Sequence, residues 1–241
     1  MACELATTDV HTLREENGKA HARQQRLKRL LWLLLPASII AGFVYPPLGY
    51  VVLICMGASV GLAFAHGRAW CDFCPRGTFF DVIMRPLSPK RPLPKFLRTT
   101  GFRIFALVFI MGMMGFQLSR VWGNVPQMGF VFVKLLLATS LLGIVLALLI
   151  NPRTWCTFCP MGSMASWIGK RKRPLQVDSS CVSCQACDKV CPMSLSPSSH
   201  QETGRMEHGD CLKCSACVAK CPQAALGWTV AEAASEEQEA A

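Results

Sequence analysis

Two runs of cysteine carry the chemistry of this chain. The first is Cys181-x2-Cys184-x2-Cys187-x3-Cys191-Pro192, and the second is Cys211-x2-Cys214-x2-Cys217-x3-Cys221-Pro222. Thiolates this close together wrap one loop around a cubane of iron and sulfide. The spacing is that of two-cluster bacterial ferredoxins, in which the fourth cysteine of each run ligates the other cluster. The pattern therefore predicts two [4Fe–4S] clusters. One would be held by Cys181, Cys184, Cys187 and Cys221, the other by Cys211, Cys214, Cys217 and Cys191. Backbone N–H groups in such loops bond the sulfurs and tune the potential. Each proline stops a helix from continuing past the last ligand. Zinc rarely needs eight cysteines in this order, and a disulfide scaffold does not suit a reducing compartment.

Four further cysteines form a second pattern. Arg68-Ala69-Trp70-Cys71-Asp72-Phe73-Cys74-Pro75-Arg76-Gly77 and Arg153-Thr154-Trp155-Cys156-Thr157-Phe158-Cys159-Pro160-Met161-Gly162 share the form R-x-W-C-x-F-C-P-x-G. In each copy the second cysteine precedes a proline, a favoured first residue of a helix. Thiols at a helix N-terminus beside arginine (Arg68, Arg76, Arg153) are expected to have lowered pKa values. Three readings stand open for Cys71, Cys74, Cys156 and Cys159. They could meet on a pseudo-two-fold axis and hold a metal or a third cluster. They could act as two redox-active dithiols, or they could pack a turn as reduced thiols.

The elements that position these residues follow from composition. The chain has 241 residues, 51% of them hydrophobic and only 17% charged, yet its net charge is +10. Soluble domains carry about a quarter charged residues, so apolar spans with basic flanks are expected. Four apolar stretches approach the roughly 20 residues that cross a hydrocarbon core: 27–45, 48–65, 104–118 and 129–150. Pro36 should kink the first of them. Small residues in the second (Gly57, Ala58, Ser59, Gly61, Ala63) suit close helix packing.

Residues 1–26 read as a polar, basic tail, and 27–170 as the four-span membrane domain. A linker covers 171–180, the two-cluster domain 181–227, and an Ala/Glu tail 228–241. Lys and Arg concentrate in the N-terminal tail, in residues 66–100 and after the fourth stretch, and the other two loops hold only Arg120. The asymmetry predicts both termini and every cysteine motif on the cytoplasmic face. Each twin motif follows a pair of apolar stretches, so an internal repeat of two helical hairpins is expected. The fold class is then an all-α four-helix membrane bundle with that repeat, joined to a small α+β two-cluster ferredoxin-like domain.

Over about residues 27–227, with four spans, two membrane-edge Cys-Pro motifs and a C-terminal two-cluster domain, the chain resembles the NapH-type quinol dehydrogenase family. It is also similar to the C-terminal part of NosR-type proteins and to cytochrome oxidase accessory iron–sulfur proteins. The family's membrane-edge motif has three residues between its cysteines where this sequence has two. The resemblance implies a multi-pass protein of a bacterial-type inner membrane that passes electrons between quinone and a redox partner: a cytochrome, a ferredoxin or a reductase subunit.

Other residues carry weaker signals. Trp70 and Trp155 read as interfacial anchors, and Cys55 as a small buried hydrophobe. Lys134 lies inside the fourth stretch, where snorkelling competes with a quinol contact shared with Gln117 or Arg120. Histidines placed as His66, His11, His21, His200 and His208 do not suit a b-type haem. No nucleic-acid motif is present. Electron transfer with quinone, reduction of a metal or disulfide by an assembly factor, and redox sensing are the functions these features allow.

Overall fold

The structure, a computed structural model, describes residues 2–89 and 91–228. The tail at 229–241 and Lys90 of the basic segment lie outside the described residues. Among the described residues, four helical segments are long and apolar enough to cross a membrane.

Helix α1 (Ala2–Leu31) is polar for most of its length and becomes apolar near its end. It breaks at Trp32–Leu33 and resumes as α2 (Leu34–Val44). The break falls one turn before Pro36, whose missing N–H leaves no bond to the carbonyl four residues back. A 3-10 turn over Pro46–Tyr50 leads into α3 (Val51–His66). Beyond it the segment that reads as a polar loop is instead helical, as α4 (Trp70–Phe73), α5 (Pro75–Phe79) and a π-helical turn over Phe80–Met84.

Helices α6 (Thr100–Arg120) and α7 (Val125–Leu149) complete the spans. The Asn124 side chain caps α7 by accepting from the Gln127 N–H, and Pro126 stands in its first turn. Two short helices follow, α8 (Thr154–Phe158) and α9 (Pro160–Ile168).

Both α4–α5 and α8–α9 are re-entrant hairpins, with Cys74-Pro75 and Cys159-Pro160 at their bends. Arg76 Nη1 donates to Thr139 Oγ1 at 2.9 Å, about 15 Å up α7 from its C-terminal end at 1.5 Å per residue. Phe80 then meets Gly143, and Arg91 N donates to Ile150 O at 2.9 Å. The chain thus climbs to the Cys74 bend and descends along α7. Helix α9 runs beside α3 and α6, and Gly169 at its end abuts Gly67. Non-helical backbone at this depth is tolerated because protein surrounds it.

The C-terminal unit is built on an antiparallel sheet with strand order β2–β1–β3: β1 (Leu175–Val177), β2 (Arg205–Met206) and β3 (Leu226–Trp228). Leu175 pairs with both Met206 and Trp228. The central strand comes from residues the sequence assigns to the linker, and Trp228 from the first position of the tail. Two one-turn helices, α10 (Ala186–Val190) and α11 (Ala216–Lys220), carry the middle cysteines. Leu175, Val177, Met193, Met206, Leu212, Val218 and Leu226 form the core between them. A unit this small buries little apolar surface by itself, which leaves room for bound clusters to add stability.

Candidate iron–sulfur sites

Each cysteine run folds with the same unusual backbone. Ser183, Gln185 and Ser194 in the first run and Lys213, Ser215 and Ala224 in the second all have positive φ, between 48° and 59°. These are left-handed conformations that non-glycine residues adopt only where the surroundings enforce them. Alternation of right- and left-handed residues turns successive N–H groups to one side, a nest for an anion. Leu195 N already donates to Cys191 Sγ at 3.4 Å.

The loops enclose two cavities. Cys191, Cys211, Cys214 and Cys217 line one, with Met193, Leu195, Leu212 and Trp228. Cys181, Cys184, Cys187 and Cys221 line the other, with Val182, Pro222 and Leu226. In both, the fourth cysteine arrives from the other run. Among the described residues no three of His, Cys, Asp or Glu converge as a single metal ion would require. Eight thiols around two apolar-walled cavities suit clusters better than mononuclear zinc. Burial pushes the Cys187 thiol up to about 12, with Asp188 adding to it. Burial likewise pushes the Cys214 thiol up to about 12, with Asp72 adding. Without iron these sulfurs hold their protons, so loading the site must release them.

The twin hairpins bring their thiols together. The Cys71 thiol lies within electrostatic reach of Cys74, Cys156 and Cys159. Cys71 and Cys156 also pack against the core of the sheet unit, whereas Cys159 belongs to the apolar core of the bundle. The four sulfurs therefore stand at the junction of the two parts. Cys55 is not isolated, for it lies within reach of Cys74.

Two arginines clasp the hairpins reciprocally. Arg68 Nη2, from the first motif, donates to the Cys156 carbonyl of the second. Arg153 Nη1, from the second, donates to the Cys71 carbonyl of the first at 3.0 Å. The motif glycines make room for them: a Cβ on Gly77 would lie 2.5 Å from Arg153 Nη1, and one on Gly162 would lie 2.6 Å from Arg68 Nη2. Arg76 Nη2 reaches Cys159 Sγ at 3.3 Å and its guanidinium covers the Trp155 ring at 5.0 Å. Trp155, expected at the interface, is 2% exposed, because the hairpin carries it into the bundle. The expected lowering of the thiol pKa is also overturned at Cys156: burial pushes it up, and Arg153 offsets this only in part.

Sequence reasoning missed the counter-charges. Lys28, read as the start of a span, is 2% exposed. Its Nζ donates to Asp72 at 2.5 Å and lies 3.6 Å from Asp81. Asp81 is also paired with Arg153 at 2.5 Å. Asp210, next to Cys211, takes Arg68 Nη1 at 2.9 Å and Arg103 Nη2 at 2.6 Å. Burial alone would raise the Asp210 carboxyl, but Arg68 and Arg103 hold it below the usual carboxylate range. The available signal was two acids in an otherwise basic segment, Asp72 and Asp81, and an acid preceding a cysteine run. Lys134 and Arg120, by contrast, lie over rings of their own helices, Phe130 and Phe116.

Comparison with known proteins agrees with this division. The family described as 4Fe-4S binding domain matches residues 48–94 and 133–177, the stretches that contain the two hairpins. The family described as 4Fe-4S dicluster domain matches residues 180–226. No curated protein and no solved structure matches the chain. The matched families, the cysteine cavities and the four apolar helices together make this an iron–sulfur, metal-binding protein of electron transport, associated with a membrane.

Proposed function

We propose that the chain carries electrons between the quinone pool and a soluble redox partner through [4Fe–4S] clusters. Cys181, Cys184, Cys187 and Cys221 would hold one cluster, and Cys211, Cys214, Cys217 and Cys191 the other. Cys71, Cys74, Cys156 and Cys159 would hold a third at the hairpin bends. The clusters supply one-electron exchange without making or breaking bonds to carbon, and the protein sets distance and potential. The observation that carries the reading is the contact of Cys71 and Cys156 with the core of the dicluster unit.

The chain's residues prepare the third site. Two thiols come from each hairpin, which we read as two copies of one unit. Arg68, Arg76 and Arg153 surround the sulfurs and would balance the negative charge of a thiolate-bound cluster. Trp155 Nε1 and Ser163 Oγ are buried beside these residues and have no hydrogen-bond partner among the described residues; they are donors from which a sulfide could accept. The match of a 4Fe-4S binding family over both hairpins favours a cluster over a pair of dithiols. The distribution of Lys and Arg supports reading both termini and the dicluster unit as cytoplasmic, at a bacterial-type inner membrane.

The test is anaerobic mixing of the full chain, in lipid nanodiscs, with a lipid-soluble quinol such as duroquinol while the iron–sulfur absorbance is followed. Bleaching by quinol, lost in Cys71→Ser and Cys156→Ser, is the expected result. A chain that is inert to quinol but reduces a metal ion or a disulfide belongs instead to an assembly factor.

A further inference from the structure

The two cavities of the C-terminal unit do not share the same surroundings. Around the Cys191/Cys211/Cys214/Cys217 cavity, contacts with the membrane part converge. Asp210, adjacent to Cys211, is clamped by Arg68 and Arg103 at 2.9 and 2.6 Å and accepts from Ser166 Oγ at 3.3 Å. Gly209 abuts Ser166, and the Lys213 side chain reaches Gly67. Helix α1 packs against α11 and brings His21 to the Cys214 backbone. Arg98 donates to the Met193 and Ser194 carbonyls, just past Cys191. Three of the four cysteines are thus flanked by groups from the bundle.

The bundle approaches the Cys181/Cys184/Cys187/Cys221 cavity on one side, where Asp188 and Lys189, beside Cys187, line a cleft with Asp81, Arg85 and Arg153. Cys184 is exposed, and Val182 beside it is 62% exposed. Arg68 completes the asymmetry. Its guanidinium spans from the Cys156 carbonyl of the hairpin to Asp210, so one side chain links the hairpin to the acid beside Cys211 of the first cavity.

We propose that the Cys191/Cys211/Cys214/Cys217 site is the membrane-side end of the dicluster unit, positioned by Asp210 in the clasp of Arg68 and Arg103, and that the Cys181/Cys184/Cys187/Cys221 site is its solvent-side end. The proposal rests on the reading that both cavities hold clusters. It fixes their order relative to the bundle, whichever way electrons flow.

The experiment is a redox titration of the full iron-loaded chain in nanodiscs, followed by electron paramagnetic resonance, with and without a soluble dysprosium chelate as relaxing agent. The agent should enhance relaxation of one dicluster signal and spare the other. Asp210→Asn removes a negative charge beside Cys211, so it should raise the potential of the spared signal and leave the relaxed one unmoved. Val182→Lys adds a positive charge at an exposed position beside Cys181, so it should raise the potential of the relaxed signal. If Asp210→Asn fails to assemble, Val182→Lys decides alone. Equal relaxation of both signals, or a Val182→Lys shift in the spared one, overturns the order. A chain that loads no iron into either cavity overturns the underlying reading as well.

Discussion

The two pairs of cysteine motifs meet the same problem differently. Both collect thiols from two segments of matching cysteine pattern, and both place a proline directly after the last cysteine. In the dicluster loops the sulfurs face an apolar cavity and left-handed residues such as Gln185 and Ser215, which aim backbone N–H groups inward. In the hairpins the surroundings are charged side chains: Arg68, Arg76, Arg153 and Lys28, answered by Asp72, Asp81 and Asp210. A soluble loop can neutralise sulfur charge with peptide dipoles and nearby water. A bend inside a bundle is short of both, and only paired ions are stable there. The hairpin site therefore depends on side chains distant in sequence, and the loops mostly on their own backbone.

Substitution of a loop cysteine should give the largest effect. Cys191→Ser should remove the cluster shared with Cys211, Cys214 and Cys217, about four iron atoms per chain, and spare the one formed by its sequence neighbours Cys181, Cys184 and Cys187. Iron analysis with spectroscopy of the remaining signal checks this. Loss of the neighbouring cluster instead would mean that the runs do not exchange their fourth ligands.

Breaking the buried ion pairs comes next. Asp81→Asn takes from Arg153 its nearest carboxylate and leaves Asp72 as the one acid shared by Arg153 and Lys28; breaking a buried pair typically costs about 3–5 kcal/mol. Thermal unfolding of the membrane part should shift down while iron in the dicluster unit is retained. An unchanged melting curve would show that the hairpins do not depend on the pairs.

Much of this contrast was legible in the sequence, and part was not. Cysteine spacing and apolar runs are local signals, and they gave the two groups of four cysteines that line the cavities and four apolar helices. The re-entry of residues 70–84 was hidden because Arg68, Asp72, Arg76 and Asp81 make the stretch look like a solvated loop. Those charges are buried through partners far along the chain: Asp210 for Arg68, Arg153 for Asp81, Lys28 for Asp72. Spacing could not reveal such pairs. Strand β1 was missed for a related reason: three residues after a basic run form a strand only because β2 and β3 flank them.

Acid sharpens the comparison at the seam between the two regions. The Asp210 carboxyl is held below its ordinary value, so its stabilising effect is present above the unfolded carboxylate pKa of about 4 and is lost as pH falls through the lowered folded value. Hydrogen exchange across residues 209–214 should rise in that window in the wild-type chain. In Asp210→Asn the same segment should exchange faster at neutral pH and show no acid step.

The smallest expected effect is steric. Gly77→Ala places a methyl against Arg153 Nη1, and overpacking of this kind costs about 1–3 kcal/mol. Gly57→Ala, where a Cβ meets nothing within 4 Å, should be neutral. Equal melting temperatures for the two variants would remove the reciprocal clasp from the account.

The central claim is that the hairpin thiols form a cluster site between the bundle and the dicluster unit. Iron and sulfide counted per chain, after anaerobic purification, test it directly. Three cubanes require about twelve iron atoms, falling to about eight in the Cys71→Ser/Cys156→Ser double variant with both dicluster signals intact. About eight in the wild-type chain, unchanged by the double substitution, would contradict it.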